Sequence, residues 1–152
     1  MKTLINLSFI AISCLLFSQA WAQKETNNVN SFFNNAPARF ELSTKNLENL
    51  MALTPGNTSI ITLDNNFSQK GTVLSNTMKY ENLQSVLIKF EALDNTLLQV
   101  SKITLADHSY KYVGRIMNNN AADAYELISE KSEKYAFKKV EMKNVLQDCS
   151  YQ

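Results

Sequence analysis

Histidine is nearly absent from this chain, with a single residue, His108, in 152. It sits in the polar cluster Asp107-His108-Ser109, which reads as a tight, solvated turn. No second imidazole exists to join it in a zinc site or a nucleophile relay. Glycine is almost as scarce, at positions 56, 71 and 114 only. That spacing excludes a glycine-rich phosphate loop and a G-x-S-x-G nucleophile elbow. Carboxylates are scattered, and nothing in their order selects a pair for sugar hydrolysis. Neither sign of charge dominates, with 15 lysines and arginines against 14 acids. A balanced chain lacks the basic stripe that nucleic acid requires, and it makes no case for anionic membranes. No residue therefore qualifies as catalytic, cofactor-binding or metal-ligating, and the chain reads as a non-enzyme with no cofactor.

Long apolar runs are also missing, with one exception at the start. Met1-Lys2 supplies a positive charge, and Leu4 to Phe17 form an apolar run broken only by Asn6, Ser8 and Ser13. Ala20-Trp21-Ala22 places small residues three and one positions before a cut that would free Gln23. This is the pattern of a secretory signal over residues 1–22, too short to serve as a membrane span. The expected location is therefore secreted or periplasmic, without stable membrane insertion once the signal is removed. A rival cut before Cys14, giving a lipid-bearing cysteine, is opposed by Leu15-Leu16-Phe17, which carry the apolar run past it. The one tryptophan, Trp21, lies inside the signal, so the processed protein should absorb in the near ultraviolet through tyrosine alone.

Cysteine is reduced by the same cut. Of the two in the sequence, Cys14 leaves with the signal and Cys149 stands alone near the end. A disulfide scaffold is thereby excluded, and the solitary tail thiol is at most a speculative contact residue. The 130 residues left after cleavage suffice for one domain that buries roughly two thirds of its unfolded surface without a metal or a disulfide.

Residues 23–38, rich in asparagine and serine, lack any period and read as a linker or loose arm. Phe32-Phe33 within it are expected to be exposed. A single antiparallel β domain is expected over 39–152. It begins with a short strand at 39–43. Residues 44–53 carry the one helical signal, with Thr44 as a cap and Leu47, Leu50 and Met51 at i, i+3, i+4. Thr54-Pro55-Gly56-Asn57 ends that helix in a turn with glycine third. The helix should pack on the sheet as a plug or lid with its three apolar residues inward.

Beyond residue 58 the period becomes two. Strands are expected at 58–63, 71–80, 84–92, 97–105, 110–117, 124–131 and 134–142, joined by asparagine- and aspartate-rich turns. The fold class is therefore all-β with one short helix, an antiparallel meander of seven or eight strands forming a small barrel or sandwich.

Two registers can be proposed from cross-strand chemistry. In the first, Arg115 faces Glu126, Ile116 faces Tyr125 and residue 117 faces 124. Continued upward, it sets Gly114 opposite Leu127, Val113 opposite Ile128, Tyr112 opposite Ser129 and Lys111 opposite Glu130. In the second, Phe90 faces Val100 and Ala92 faces Leu98, with a loop at Asp94-Asn95-Thr96. A β-bulge near Ser101-Lys102 would then restore the apolar phase, bringing Ile103 opposite Ile88 and Leu105 opposite Val86. Tyr110, Tyr112, Tyr125, Tyr135 and Phe137 are expected to form an aromatic cluster, as core first and as a recognition surface second.

Three functions are compatible with this reading. The first is an exported, non-catalytic binding or interaction module with an unknown protein or small-molecule partner. The second is a carrier holding an apolar ligand inside a barrel, disfavoured because Phe90, Tyr112, Ile116 and Tyr125 would fill it. The third is an inhibitor of a secreted metalloenzyme, acting through the Cys149 thiol. Asn57-Thr58-Ser59 and Asn66-Phe67-Ser68 match the glycosylation acceptor pattern, which an asparagine-rich chain produces by chance.

Overall fold

The computed structural model describes Phe33, residues 36–65, 67–130 and 134–143. The expected signal and its cleavage site at Ala22 and Gln23, Cys14, most of the arm, and Cys149 lie outside those residues.

Among the described residues, eight strands and the helix after the first of them follow the order read from the sequence. They are β1 (Arg39–Leu42), α1 (Thr44–Met51), β2 (Thr58–Asp64), β3 (Phe67–Tyr80), β4 (Leu83–Phe90), β5 (Thr96–Thr104), β6 (Tyr110–Asn118), β7 (Asp123–Ser129) and β8 (Tyr135–Glu141). All belong to one antiparallel sheet in the order β1-β8-β7-β6-β5-β4-β3-β2. The sheet curls until β1 and β2 approach each other without pairing, giving a nearly closed barrel.

Alternation sends one side of each strand inward. Phe40, Val86, Ile88, Phe90, Leu98, Val100, Ile116, Tyr125 and Phe137 are completely buried. At one end of the barrel Phe40, Phe67, Phe90 and Tyr125 meet ring to ring, with centroids 4.8 to 5.6 Å apart. Helix α1 crosses the opposite end. Leu47, Leu50 and Met51 point into the core, as the spacing requires. Its N-cap is Ser43, not Thr44, which is the first helical residue. Ser43 Oγ accepts from the Asn46 N–H at 3.2 Å, and Asn46 Oδ1 accepts from the Ser43 N–H at 3.2 Å. Asn76 and Gln84 tie down the other terminus. Asn76 Nδ2 donates to the Met51 and Leu53 carbonyls, both at 2.8 Å, and Gln84 Nε2 donates to Met51 at 3.0 Å.

The turn after the helix forms as expected, with Asn57 N–H donating to the Thr54 carbonyl at 3.2 Å and Gly56 at φ +82°. Asn95 takes the left-handed conformation in the β4–β5 turn, at φ 55°. In the β5–β6 turn the left-handed residue is His108, at φ 64°, because Asp107 is occupied with accepting from the Ser109 N–H and hydroxyl.

Two registers need correction. In the β4–β5 hairpin, Ile88 pairs with Leu98 and Val86 with Val100, so Phe90 does not face Val100. The connection is longer than expected, running from Glu91 to Asn95, because Thr96 N–H closes onto the Leu93 carbonyl at 3.0 Å. The ladder then runs unbroken to Leu83 opposite Ile103, with no bulge near Ser101-Lys102. The apolar phase on β5 does slip, but Ile103 simply points outward beside Leu83. Bulges occur instead between Thr62 and Asp64 on β2 and at two places on β3, Val73/Ser75 and Met78/Tyr80.

In the β6–β7 hairpin the expected pairs Arg115–Glu126, Ile116–Tyr125 and Met117–Ala124 form, and pairing stops there. Gly114–Leu127, Val113–Ile128, Tyr112–Ser129 and Lys111–Glu130 are not ladder partners. The Tyr135 phenol fills the split from inside. Its oxygen accepts from the Tyr112 main-chain N–H at 3.4 Å, and its ring stands edge-on to Tyr112. Glu130 is drawn instead to Arg39, at 2.6 Å.

Candidate functional site

Three regions of the barrel surface stand out, one along the wall and one at each end. The first is the seam where β1 and β2 fail to pair. A polar groove of about 510 Å³ opens there, lined by Arg39, Glu41, Asn46, Thr62, Asp64 and Asn65. Arg39 lies 2.6 Å from Glu130 and 3.6 Å from Glu41. Its hydrogen bond holds the Glu130 carboxyl below the ordinary carboxylate range. A carboxyl kept ionised by a guanidinium is a poor proton donor near neutral pH. Asp64 Oδ1 accepts from the Phe67 N–H at 2.8 Å across the β2–β3 turn. The scattered acids thus meet in part at the seam, but as an ion-pair network.

The second region is the end of the barrel that carries α1. The β3–β4 and β5–β6 turns lie side by side there, joined by Thr104 N–H donating to the Asn82 carbonyl at 2.8 Å. Large apolar side chains are exposed on and beside these two tips. Tyr80 is 71% exposed, Met78 61% and Tyr110 52%, with Leu105 and Val113 also open to solvent. Lys102 lays its ammonium over the Tyr110 ring, 3.7 Å from the centroid, which fixes the ring in an outward pose. Of the aromatic cluster expected from the sequence, Tyr112, Tyr125, Tyr135 and Phe137 are core, and Tyr110 alone faces solvent. Tyr80 and Met78 are not legible in the sequence as surface residues. Their strand alternates normally in the sequence, but from Thr77 to Tyr80 every residue of β3 is exposed, so alternation marks no inner side there.

The third region is the opposite end, where the chain enters β1. Phe33, expected to be exposed, is instead 3% exposed and packs edge-on against Tyr125 at 5.1 Å. Its N–H donates to Asp123 Oδ1 at 3.4 Å, and Lys139 Nζ donates to the Phe33 carbonyl at 2.5 Å and the Ala36 carbonyl at 3.1 Å. Tyr125 Oη donates to the Pro37 carbonyl at 2.7 Å. The burial follows from an apolar slot that the aromatic end of the barrel leaves open and that no strand residue fills. Next to the slot lies an open, mainly apolar groove of about 960 Å³ that includes Ala121, Ala122, Val140 and Met142.

His108 is exposed in the β5–β6 turn of the second region, where its N–H donates to the Leu105 carbonyl at 3.0 Å. Among the described residues no group of three or more histidine, cysteine, aspartate or glutamate side chains is placed to hold a metal ion. No helix among them is long and apolar enough to cross a membrane. No family model, curated protein or solved structure matches this chain.

Proposed function

We propose that this protein is a small exported interaction module without catalysis, addressed by residues 1–22 and cut between Ala22 and Gln23. The observation that carries the reading is the concentration of exposed apolar side chains on two adjoining hairpin tips. Met78, Tyr80, Leu105 and Tyr110 are presented together at one end of a rigid scaffold. Single exposed apolar residues are ordinary, but a group of large ones on neighbouring turns marks a contact surface. Tyrosine and methionine suit that role, because they bring large contact areas with few or adaptable torsions. The aromatic rings that occupy the interior favour this reading over a carrier for an apolar ligand.

The test is in-cell crosslinking of the exported protein, comparing the native chain with a Met78→Glu/Tyr80→Glu variant. Both sites are exposed, so melting should be unchanged while the crosslinked partner band is lost. An unchanged band would remove the tips from the interface. A native chain that captures nothing, yet turns over a substrate in a hydrolase screen, would overturn the module reading itself.

A further inference from the structure

The Phe33 end of the barrel has the makeup of a peptide site with its own chain already in it. The barrel contributes three polar side chains to the entering segment, and each contacts main chain. Asp123 accepts from the Phe33 N–H, Lys139 donates to the carbonyls of Phe33 and Ala36, and Tyr125 donates to the carbonyl of Pro37. Contacts of this kind hold a backbone shape and do not depend on the side chains the segment carries. One slot reads a side chain, namely the pocket beside Tyr125 that takes the Phe33 ring. The Ala36 N–H donates to the Phe33 carbonyl at 3.0 Å, which holds these two residues of the segment together. Main-chain hydrogen bonds plus a single aromatic anchor are how extended and turn peptides are commonly held.

Two further observations point beyond a simple plug. Lys139, a half-buried lysine, directs its ammonium to two main-chain carbonyls of the entering segment, with the Tyr125 ring 5.8 Å away, so a charged side chain is committed to holding backbone. The seat also does not stop at the segment. It continues into the apolar groove of Ala121, Ala122, Val140 and Met142, which shares Ala38, Asp123 and Lys139 with it.

We propose that this seat is a second docking site, held closed by the chain's own Phe33. Its partner is a peptide segment that presents an aromatic residue three positions before a small residue followed by proline. The tethered segment competes at the high effective concentration of an intramolecular contact. A partner must therefore displace it, and gains the adjoining groove by doing so. The site lies at the other end of the barrel from the hairpin tips and does not depend on them.

The experiment uses the full processed chain and a labelled synthetic octapeptide of residues 31–38, Ser-Phe-Phe-Asn-Asn-Ala-Pro-Ala. A Phe33→Ala variant should bind it, followed by fluorescence anisotropy and by a rise in melting temperature. The native chain should bind at least about tenfold more weakly, because its own ring occupies the slot. A control peptide with alanine at its third position should bind the variant at least about tenfold more weakly than the parent peptide. A double variant, Phe33→Ala/Lys139→Met, should lose most of the affinity that the first substitution opened. Should Phe33→Ala be unfolded alone, the octapeptide should refold it, restoring its β circular dichroism. A variant that neither binds the peptide nor is refolded by it, or that binds parent and control alike, would overturn the proposal. Neither result would touch the reading of the hairpin tips.

Discussion

Tyr112 sits at 2% exposure inside the barrel, and its hydroxyl is the one buried side-chain polar atom among the described residues without a hydrogen-bond partner. A buried donor left unsatisfied costs about 1–3 kcal/mol of desolvation, whereas removing it leaves a ring of nearly the same shape. Tyr112→Phe should therefore be neutral or stabilising, by up to about 1 kcal/mol. The urea midpoint reports this directly, and a clear loss would mean that the hydroxyl has a partner. Gly114 gives the opposite sign. A Cβ there would lie 2.7 Å from the Gln99 carbonyl oxygen and 3.2 Å from a Val100 methyl. The first neighbour is main chain in a paired strand and cannot turn aside. Gly114→Ala should cost about 2–3 kcal/mol through forced separation of β5 and β6. Chemical denaturation of the pair Tyr112→Phe and Gly114→Ala would show stability moving in opposite directions.

At the level of elements, alternation of period two makes the strands legible, and the β6–β7 register is correct where charge meets charge, as at Arg115–Glu126. It fails where the constraint lies off the strand. Tyr135 reaches the Tyr112 main chain from β8, a contact no local pattern announces. The β4–β5 error has the same origin. A two-residue change in turn length leaves every residue on its own face, so alternation cannot decide between the two registers. Phe33 escapes because an isolated aromatic in a polar, aperiodic segment carries no local sign of the slot it fills, and the exposed tips escape because alternation cannot show where both faces of β3 meet solvent, as they do from Thr77 to Tyr80. The cap of α1 lies one residue earlier than the sequence suggests. Ser43 and Asn46 exchange hydrogen bonds across the first turn, with Ser43 in an extended conformation at ψ 156°. Ser43→Ala should lower stability by about 1 kcal/mol, and Thr44→Ala by clearly less, since Thr44 lies inside the helix. Equal losses in thermal denaturation would contradict that assignment.

For the molecule as a whole, closure at both ends leaves the interior to aromatic rings, and this ties stability to alkaline pH. Burial pushes the Tyr112 and Tyr125 phenols up to about 12, from an ordinary value of 10.0. Below pH 10.0 both the folded and the unfolded chain keep these protons, so their contribution to stability is fully present. Above it the unfolded chain releases protons that the folded barrel retains, and stability falls until the folded phenols themselves ionise. Each group can remove of order 2 kcal/mol across that window, because a tenfold change in a proton-binding equilibrium corresponds to about 1.4 kcal/mol. Two such groups are enough to threaten a marginally stable domain of this size. Urea unfolding followed by circular dichroism should therefore give a flat midpoint up to about pH 10 and a steep fall between about 10 and 12. The part of the tyrosinate absorbance that Tyr112→Phe removes should rise together with the loss of β signal, since the buried rings ionise as the barrel opens, whereas exposed Tyr80 and Tyr110 need no opening. In Tyr112→Phe the fall should be about half as large, because one of the two buried phenols is gone. A midpoint that stays level through about pH 12, or a Tyr112→Phe profile superimposable on the native one, would show that the buried rings do not govern the alkaline limit.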